Sequence, residues 1–154
     1  MSLRLPEEIV VERFLPTART MLARELSDQG FTQQEIASFL GVTQAAVSNY
    51  LSAEAILEQQ FTEDKRMQQT IKRIASDWAA GDLDEYGALA ALLNLVETFE
   101  DRGPICAVHE EEMPALEGLG CDLCVRGDDD ALDAERAVLR SVRRAARRLS
   151  GEPA

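Results

Sequence analysis

Apolar residues recur at every third or fourth position along most of the chain, and no segment alternates apolar and polar residues for long. The first spacing places apolar side chains on one face of an α-helix, whereas alternation would place them on one face of a strand. One such helix face would be formed by Met67, Ile71, Ile74 and Trp78. The sequence therefore predicts an all-α fold in which these faces pack together.

Residues 31–51, FTQQEIASFLGVTQAAVSNYL, contain two short helical patterns joined by a glycine turn. Thr32 and Glu35 have the capping-box spacing at the start of the first helix, and Thr43 can cap the second. Gly41 allows the left-handed backbone conformation that a tight turn requires. The joint would be buried by Ile36, Ala37, Leu40, Val42, Val47 and Leu51. The pattern therefore predicts a helix-turn-helix.

The second of these helices would leave a polar and uncharged face free. Its amides, hydroxyls and one methyl group suit the edges of bases in a DNA major groove, where a glutamine such as Gln44 can bind adenine through two hydrogen bonds. A helical corner that merely packs is the alternative, but a plain surface would carry more Lys and Glu. The face consists of Thr43, Gln44, Ala45, Ser48 and Asn49.

The motif resembles the helix-turn-helix of phage-repressor and Cro-like (Xre-type) transcription regulators. It is most similar to small archaeal regulators that carry this domain at the N-terminus and a Cys/His metal-binding module at the C-terminus. The resemblance covers roughly the first third of the chain. It implies that Gln33 contacts a DNA phosphate, and that base reading falls to Gln44, Ala45, Ser48 and Asn49. It also implies a sequence-specific transcription regulator that binds a double-stranded operator.

Basic residues are missing from the motif, since none occurs between Arg24 and Lys65. Neutralisation of phosphates would fall to Arg13, Arg19, Arg24 or neutral donors. A monomer would then bind DNA modestly, with a shallow salt dependence. A homodimer would compensate, because operators with two-fold symmetry suit two-fold symmetric proteins. We expect it to form through the helices after residue 53.

The three cysteines and the only histidine of the chain form one spaced set, C-x2-H-x11-C-x2-C. Each pair can supply two ligands from one turn, and two pairs can close a tetrahedral zinc site. The same side chains can hold an iron–sulfur cluster, which would make the site sensory, or they can remain unmetallated thiols. Structural zinc is the favoured interpretation. The predicted ligands are Cys106, His109, Cys121 and Cys124.

The chain contains 28 acidic and 16 basic residues, for a formal net charge of −12. The acidic excess lies in residues 53–128, and this composition with few lysines is typical of proteins from a salt-rich cytoplasm. Nonspecific binding of nucleic acid by the whole surface is therefore disfavoured. An alternative function follows, in which an antitoxin-like or adaptor protein binds a protein partner through its acidic helical region and uses its DNA-binding domain for autoregulation.

Membrane or secreted proteins and enzymes are two further classes that the sequence disfavours, because it lacks their usual features. No apolar run is long enough for a membrane span and no signal peptide is recognisable, so we expect a soluble, cytoplasmic protein. No phosphate-binding loop is present, and the single histidine is already assigned to the metal site. We therefore expect no enzymatic activity.

Four segments are expected along the chain. Residues 1–52 would form a helix-turn-helix domain of about four to five short helices, and residues 53–102 a helical hairpin that serves as linker and dimerisation region. Residues 103–127 would form the metal-binding module, with residues 105–126 as an irregular loop. Residues 128–154 would form an amphipathic helix and tail, whose apolar stripe is buried either within the chain or across the dimer.

Overall fold

The computed structural model of the protein describes residues 3–126 and 131–151. This part of the chain contains helices and no strands, which confirms the predicted all-α class. The helices are α1 (Pro6–Ile9), α2 (Leu15–Asp28), α3 (Gln33–Leu40), α4 (Gln44–Leu51), α5 (Gln59–Thr62), α6 (Lys65–Ala79), α7 (Glu85–Phe99), α8 (Pro104–Glu112), α9 (Leu123–Arg126) and α10 (Ala131–Leu149). A π-helical turn, Val10–Phe14, joins α1 to α2.

The first helical run passes through a proline without a break. Pro16 lacks the N–H that a regular helix would use, and the π-helical turn lies immediately before it. Two buried threonines in α2 satisfy their hydroxyls on the backbone, since Thr17 donates to the Arg13 carbonyl at 3.0 Å and Thr20 to the Pro16 carbonyl at 2.8 Å. Proline is common in the first turn of a helix, so Pro16 with the apolar stripe of Ala18, Met21, Leu22 and Leu26 predicts a new helix there. The structure shows a continuous helical run instead.

The main hydrophobic core is centred on three phenylalanine rings from distant parts of the chain. Phe14 contacts Phe61 edge-on with ring centroids 5.4 Å apart, and Phe99 lies 6.1 Å from Phe14 and 6.0 Å from Phe61. All three rings are fully buried. Edge-to-face pairs at these separations are attractive beyond the area they bury. These rings come from the first two expected segments, and Ile105 and Val108 of the third segment belong to the same core.

A second, smaller core attaches α3 and α4 to α2 and to the end of α6. Ring contact between Phe39 of α3 and Trp78 of α6, with centroids 4.1 Å apart, closes one side of it. Its buried members are Ala23, Leu26, Ile36, Ala37, Val47 and Ala75. The exposed side of α4 is thereby held on a packed base.

The prediction of an irregular loop over residues 105–126 was wrong. α8 occupies the first part, a 3-10 turn (Pro114–Leu116) follows, and α9 closes the segment. Pro104 stands at the first turn of α8, where its missing N–H costs nothing. Ile105 and Val108, three residues apart, are buried in the main core, so tertiary packing stabilises a helix with few apolar residues of its own.

The expected helical hairpin is present, since α6 and α7 pack against each other. The sequence predicts a short helix over residues 53–61, and the structure has only α5 in this region. In α10 the side chains of residues 138–149 are exposed. The sequence predicts that residues 128–130 form an acidic start to this helix, and these residues lie outside the part of the chain that the structure describes. Among the described helices, none combines the length and apolarity of a membrane span.

Candidate functional site

The start and end of α3 follow the predicted local signals. The Thr32 hydroxyl accepts from the Glu35 N–H at 3.2 Å, and the Glu35 carboxylate accepts from the Thr32 N–H at 3.3 Å, which completes the capping box. Gly41 ends the helix in the left-handed region, with φ 68° and ψ 34°. A residue with a Cβ would be strained in this conformation, so the glycine permits the tight turn into α4.

One side of α4 is packed and the other is open. Val47 is fully buried, and Thr43 caps the helix by accepting from the Ala46 N–H at 3.1 Å. The candidate base-reading residues share the outward side, and Gln33 lies at the first position of α3. All six candidate DNA-binding residues are exposed: Gln33, Thr43, Gln44, Ala45, Ser48 and Asn49.

The carboxyl end of α4 is held by an arginine from α2. Arg24 donates from Nε to the Tyr50 carbonyl and from Nη2 to the Ser52 carbonyl, each at 3.1 Å. These bonds satisfy carbonyl groups that a helix end leaves without partners. Sequence reasoning missed this role and named Arg24 only as one of several candidates for phosphate neutralisation. The absence of a glycine or a basic residue after Leu51 is the signal that another part of the chain must supply the cap.

Arg13, also expected to face phosphates, lies in an ion-pair cluster instead. It contacts Glu58 at 2.5 Å and Glu112 at 3.0 Å, with about a quarter of its side chain exposed. The hydrogen bond to Glu58, followed by the one to Glu112, raises the pKa of Arg13 above its ordinary value. Of the three arginines proposed for phosphates, Arg19 alone has no ion pair or side-chain hydrogen bond among the described residues.

The four predicted metal ligands line a single cavity of about 170 Å³. α8 carries Cys106 and His109 one turn apart, and Cys121 and Cys124 come from the start of α9 and the residues before it. Between the pairs the chain reverses at Gly118 and Gly120, both with positive φ. Arg102 ties the two sides together by contacting Glu110 at 2.8 Å and the Cys121 carbonyl at 3.4 Å.

The four side chains share the cavity without converging on one point. The Cys106 thiol donates to the Glu100 carbonyl at 3.2 Å, and His109 Nε2 lies 2.5 Å from the Arg4 carbonyl. Within the described residues, no group of three or more His, Cys, Asp or Glu side chains is arranged to hold a metal ion as it stands. The donors are of the kinds that bind zinc, and Cys106 and His109 would have to exchange their present contacts for the metal.

Two acidic side chains at this cavity, Cys124 and Glu100, have raised pKa values. Burial of the Cys124 thiol, followed by the nearby Glu100 and the other two cysteines, raises its pKa to about 11, although much of the residue is exposed. Burial, followed by Glu7 and Glu97, raises the pKa of Glu100. Cys124 is therefore a neutral thiol at pH 7, and binding of a metal there would release its proton.

Two places in the chain thus bring together side chains that can contact a ligand. They are the outward side of α4 and the cysteine–histidine cavity. The first presents neutral hydrogen-bonding groups to solvent, and the second presents soft sulfur donors in a largely apolar pocket. Comparisons of the chain with protein-family models, with curated proteins and with solved structures each found no match.

Proposed function

We propose that this protein is a sequence-specific, DNA-binding transcription regulator that binds a double-stranded operator as a homodimer. In this proposal α3 and α4 form the helix-turn-helix, and α4 is the recognition helix. The observation that supports it is the two-sided character of α4. Its inner side is buried in the second core, while its outer side presents only neutral polar groups and one methyl group.

The dimensions of α4 suit the proposed role. An α-helix with its side chains is about 10–12 Å in diameter, and the major groove of B-DNA is about 12 Å wide, so a short helix such as α4 can enter it. Gln44 and Ser48 lie one turn apart on the outer side, as do Ala45 and Asn49. Amide side chains can bind adenine through two hydrogen bonds, and the Ala45 methyl group suits a thymine methyl. Gln33, at the start of α3, would contact the DNA backbone.

The first experiment selects an operator from a random duplex library with the full-length protein and measures dissociation constants on the enriched sequence. Gln44→Ala and Asn49→Ala should each weaken binding to that operator about 10- to 100-fold, because a bidentate base contact is worth about 1–3 kcal/mol. Gln69→Ala, which removes an equally exposed glutamine on α6, is the matched control and should bind as the unaltered protein does. Absence of any enriched sequence, or unchanged affinity in both variants, contradicts the proposal.

We also propose that Cys106, His109, Cys121 and Cys124 hold a metal. The shared cavity and the donor set of three thiols and one imidazole support this. A closed set of four protein ligands is typical of structural zinc, which would fasten α8 to α9. An iron–sulfur cluster on the same residues would instead give the regulator a redox-sensitive element.

The metal is identified by elemental analysis and a visible spectrum of protein purified without oxygen. We expect one zinc per chain and no colour, and Cys121→Ser should lose the metal, whereas Met113→Leu, in the lining of the same cavity, should retain it. Iron with sulfide and visible absorption would establish the sensory version of the site. A colourless chain without metal would contradict the proposed centre.

Coupling between this centre and DNA binding forms part of the proposal. α8 carries two of the ligands, and its last residue, Glu112, contacts Arg13, which in turn contacts Glu58 between α4 and α5. Binding or loss of the metal can therefore shift α8 and, through these ion pairs, the segment that follows the recognition helix. A metal-free protein that remains dimeric and binds its operator as tightly as the metallated form would contradict this coupling.

A further inference from the structure

α7 carries an apolar stripe that none of the described residues covers. Tyr86 is 80% exposed, and Leu89 and Leu93 are each 55% exposed. Their spacing of three and four residues places the three side chains on one face of the helix. The opposite face packs into the main core through Ala88, Leu95 and Phe99. A contiguous apolar face of this kind is typical of an interaction surface.

α10 carries a second uncovered stripe. Val138 is 62%, Val142 58% and Leu149 90% exposed, and helical spacing places them on one side together with the half-exposed Leu139. Arg143 and Arg148 border this side. The remaining described arginines of the helix lie on the far side: Arg140, Arg144 and Arg147. Both stripes are therefore exposed in the same chain.

The two stripes lie in opposite electrostatic surroundings. Residues 82–101, which include α7, contain six acidic and no basic residues, whereas α10 contains six arginines and two acidic residues. Two copies of α10 side by side would bring arginines together, and two copies of α7 would bring carboxylates together. Contact between α7 and α10 brings opposite charges together, with Glu85 and Glu97 available on α7 for the arginines of α10.

We propose that the occupant of the α7 stripe is α10 of a second copy of this chain. A two-fold axis would make the contact reciprocal, so that two α7–α10 pairs form one interface. The lengths suit each other, since 15 residues of α7 span about 22 Å and 19 residues of α10 about 28 Å. This interface specifies the homodimer of the proposed function. Its test uses no DNA, so it can fail while operator binding holds.

The test measures self-association of the full chain, as purified, by sedimentation velocity over a range of concentrations. Leu93→Lys on α7 places a cation opposite the arginines of α10, and Val142→Glu on α10 places an anion opposite the carboxylates of α7. Each variant should raise the dimer dissociation constant at least about 10-fold. Ile56→Lys, which alters another exposed apolar residue outside both stripes, should leave it unchanged. Circular dichroism checks that the helices are retained.

Mixing the two variants gives the most specific result. A mixed dimer contains one unaltered α7–α10 pair, and in its other pair the lysine of one variant faces the glutamate of the other. The mixture should therefore dimerise at concentrations at which neither variant does. A monomeric unaltered chain, with α10 packed on its own α7, would overturn the proposal. So would a dimer that only Val142→Glu weakens, which would indicate that two α10 helices pair. A dimer that only Leu93→Lys weakens would indicate that two α7 helices pair, and would overturn it as well. A mixture that stays monomeric would also overturn it.

Discussion

At the scale of single residues, Arg24 of α2 holds the end of α4 in place, although it is not part of the outer side of α4. Its guanidinium group donates to two carbonyl groups at the carboxyl end of α4, from a position 26 residues before Tyr50. A cation at this end of a helix is also favoured by the helix dipole. The orientation of the outer side of α4 therefore depends on a residue of α2 that need not touch DNA.

We expect Arg24→Gln to lower the free energy of unfolding by about 2 kcal/mol, because hydrogen bonds from a charged group contribute about 1.5–3 kcal/mol. Urea denaturation followed by circular dichroism measures the change. Arg73→Gln is the matched control, since Arg73 is exposed on α6 and should change stability by less than about 0.5 kcal/mol. Equal losses in the two variants would show that the Arg24 bonds contribute little.

Other single residues could be interpreted directly from the sequence. Thr32, Glu35, Gly41 and Thr43 each bond to a partner three or four positions away, and the structure confirms each predicted cap or turn. The contacts of Arg13 and Arg24 could not be predicted, because their partners lie 26 to 99 positions away. The ends of helices can be predicted from residues that are neighbours in the sequence. The partner of a long charged side chain cannot, because it depends on how the helices pack.

At the scale of elements, the start of α6 offers a stability test with a defined pH dependence. Asp64 caps α6 by accepting from the N–H groups of Arg66 and Met67, at 2.8 Å and 3.2 Å. The Arg66 side chain, followed by these backbone bonds, lowers the pKa of Asp64. A lowered pKa means that the capping contribution is present above the unfolded-state pKa, about 3.9, and is lost as the pH falls through the folded-state pKa.

Asp64→Ala should therefore lower the free energy of unfolding by about 1 kcal/mol at pH 7, as is usual for loss of a helix cap. The difference from the unaltered protein should shrink as the pH falls below about 4. Urea denaturation at several pH values measures it. Asp77→Ala, within α6 rather than at its start, is the control for loss of a carboxylate. A difference that grows towards acid would contradict the assignment.

α8 shows why one element escaped prediction. Its only fully buried apolar residues are Ile105 and Val108, and it ends in three consecutive glutamates. Such a short apolar pattern looks like a loop until the main core supplies its packing partners. The four residues of the cysteine and histidine pattern line one cavity, and the metal site predicted from their spacing stays a prediction. Their present contacts with the Glu100 and Arg4 carbonyls depend on packing and could not be inferred from spacing.

At the scale of the whole molecule, the net charge of −12 governs the response to salt. Screening of the mutual repulsion of the carboxylates should raise the melting temperature as salt is added. Operator binding should respond weakly, because the proposed interface contains no basic residue. We expect a slope of log affinity against log salt smaller in magnitude than about 3. A slope of about 6 would mean that cations outside α3 and α4 carry the binding.

The contact of Phe14, Phe61 and Phe99 has a consequence for how this protein can be divided. One ring comes from the helical run before α3, one from α5 and one from α7, so removal of any of these segments opens the core. A fragment that ends after α4 would expose Phe14 to water and should not fold alone. The α3–α4 pair should therefore depend on α5 and α7 for its fold, and should not fold when it is transferred alone to another protein.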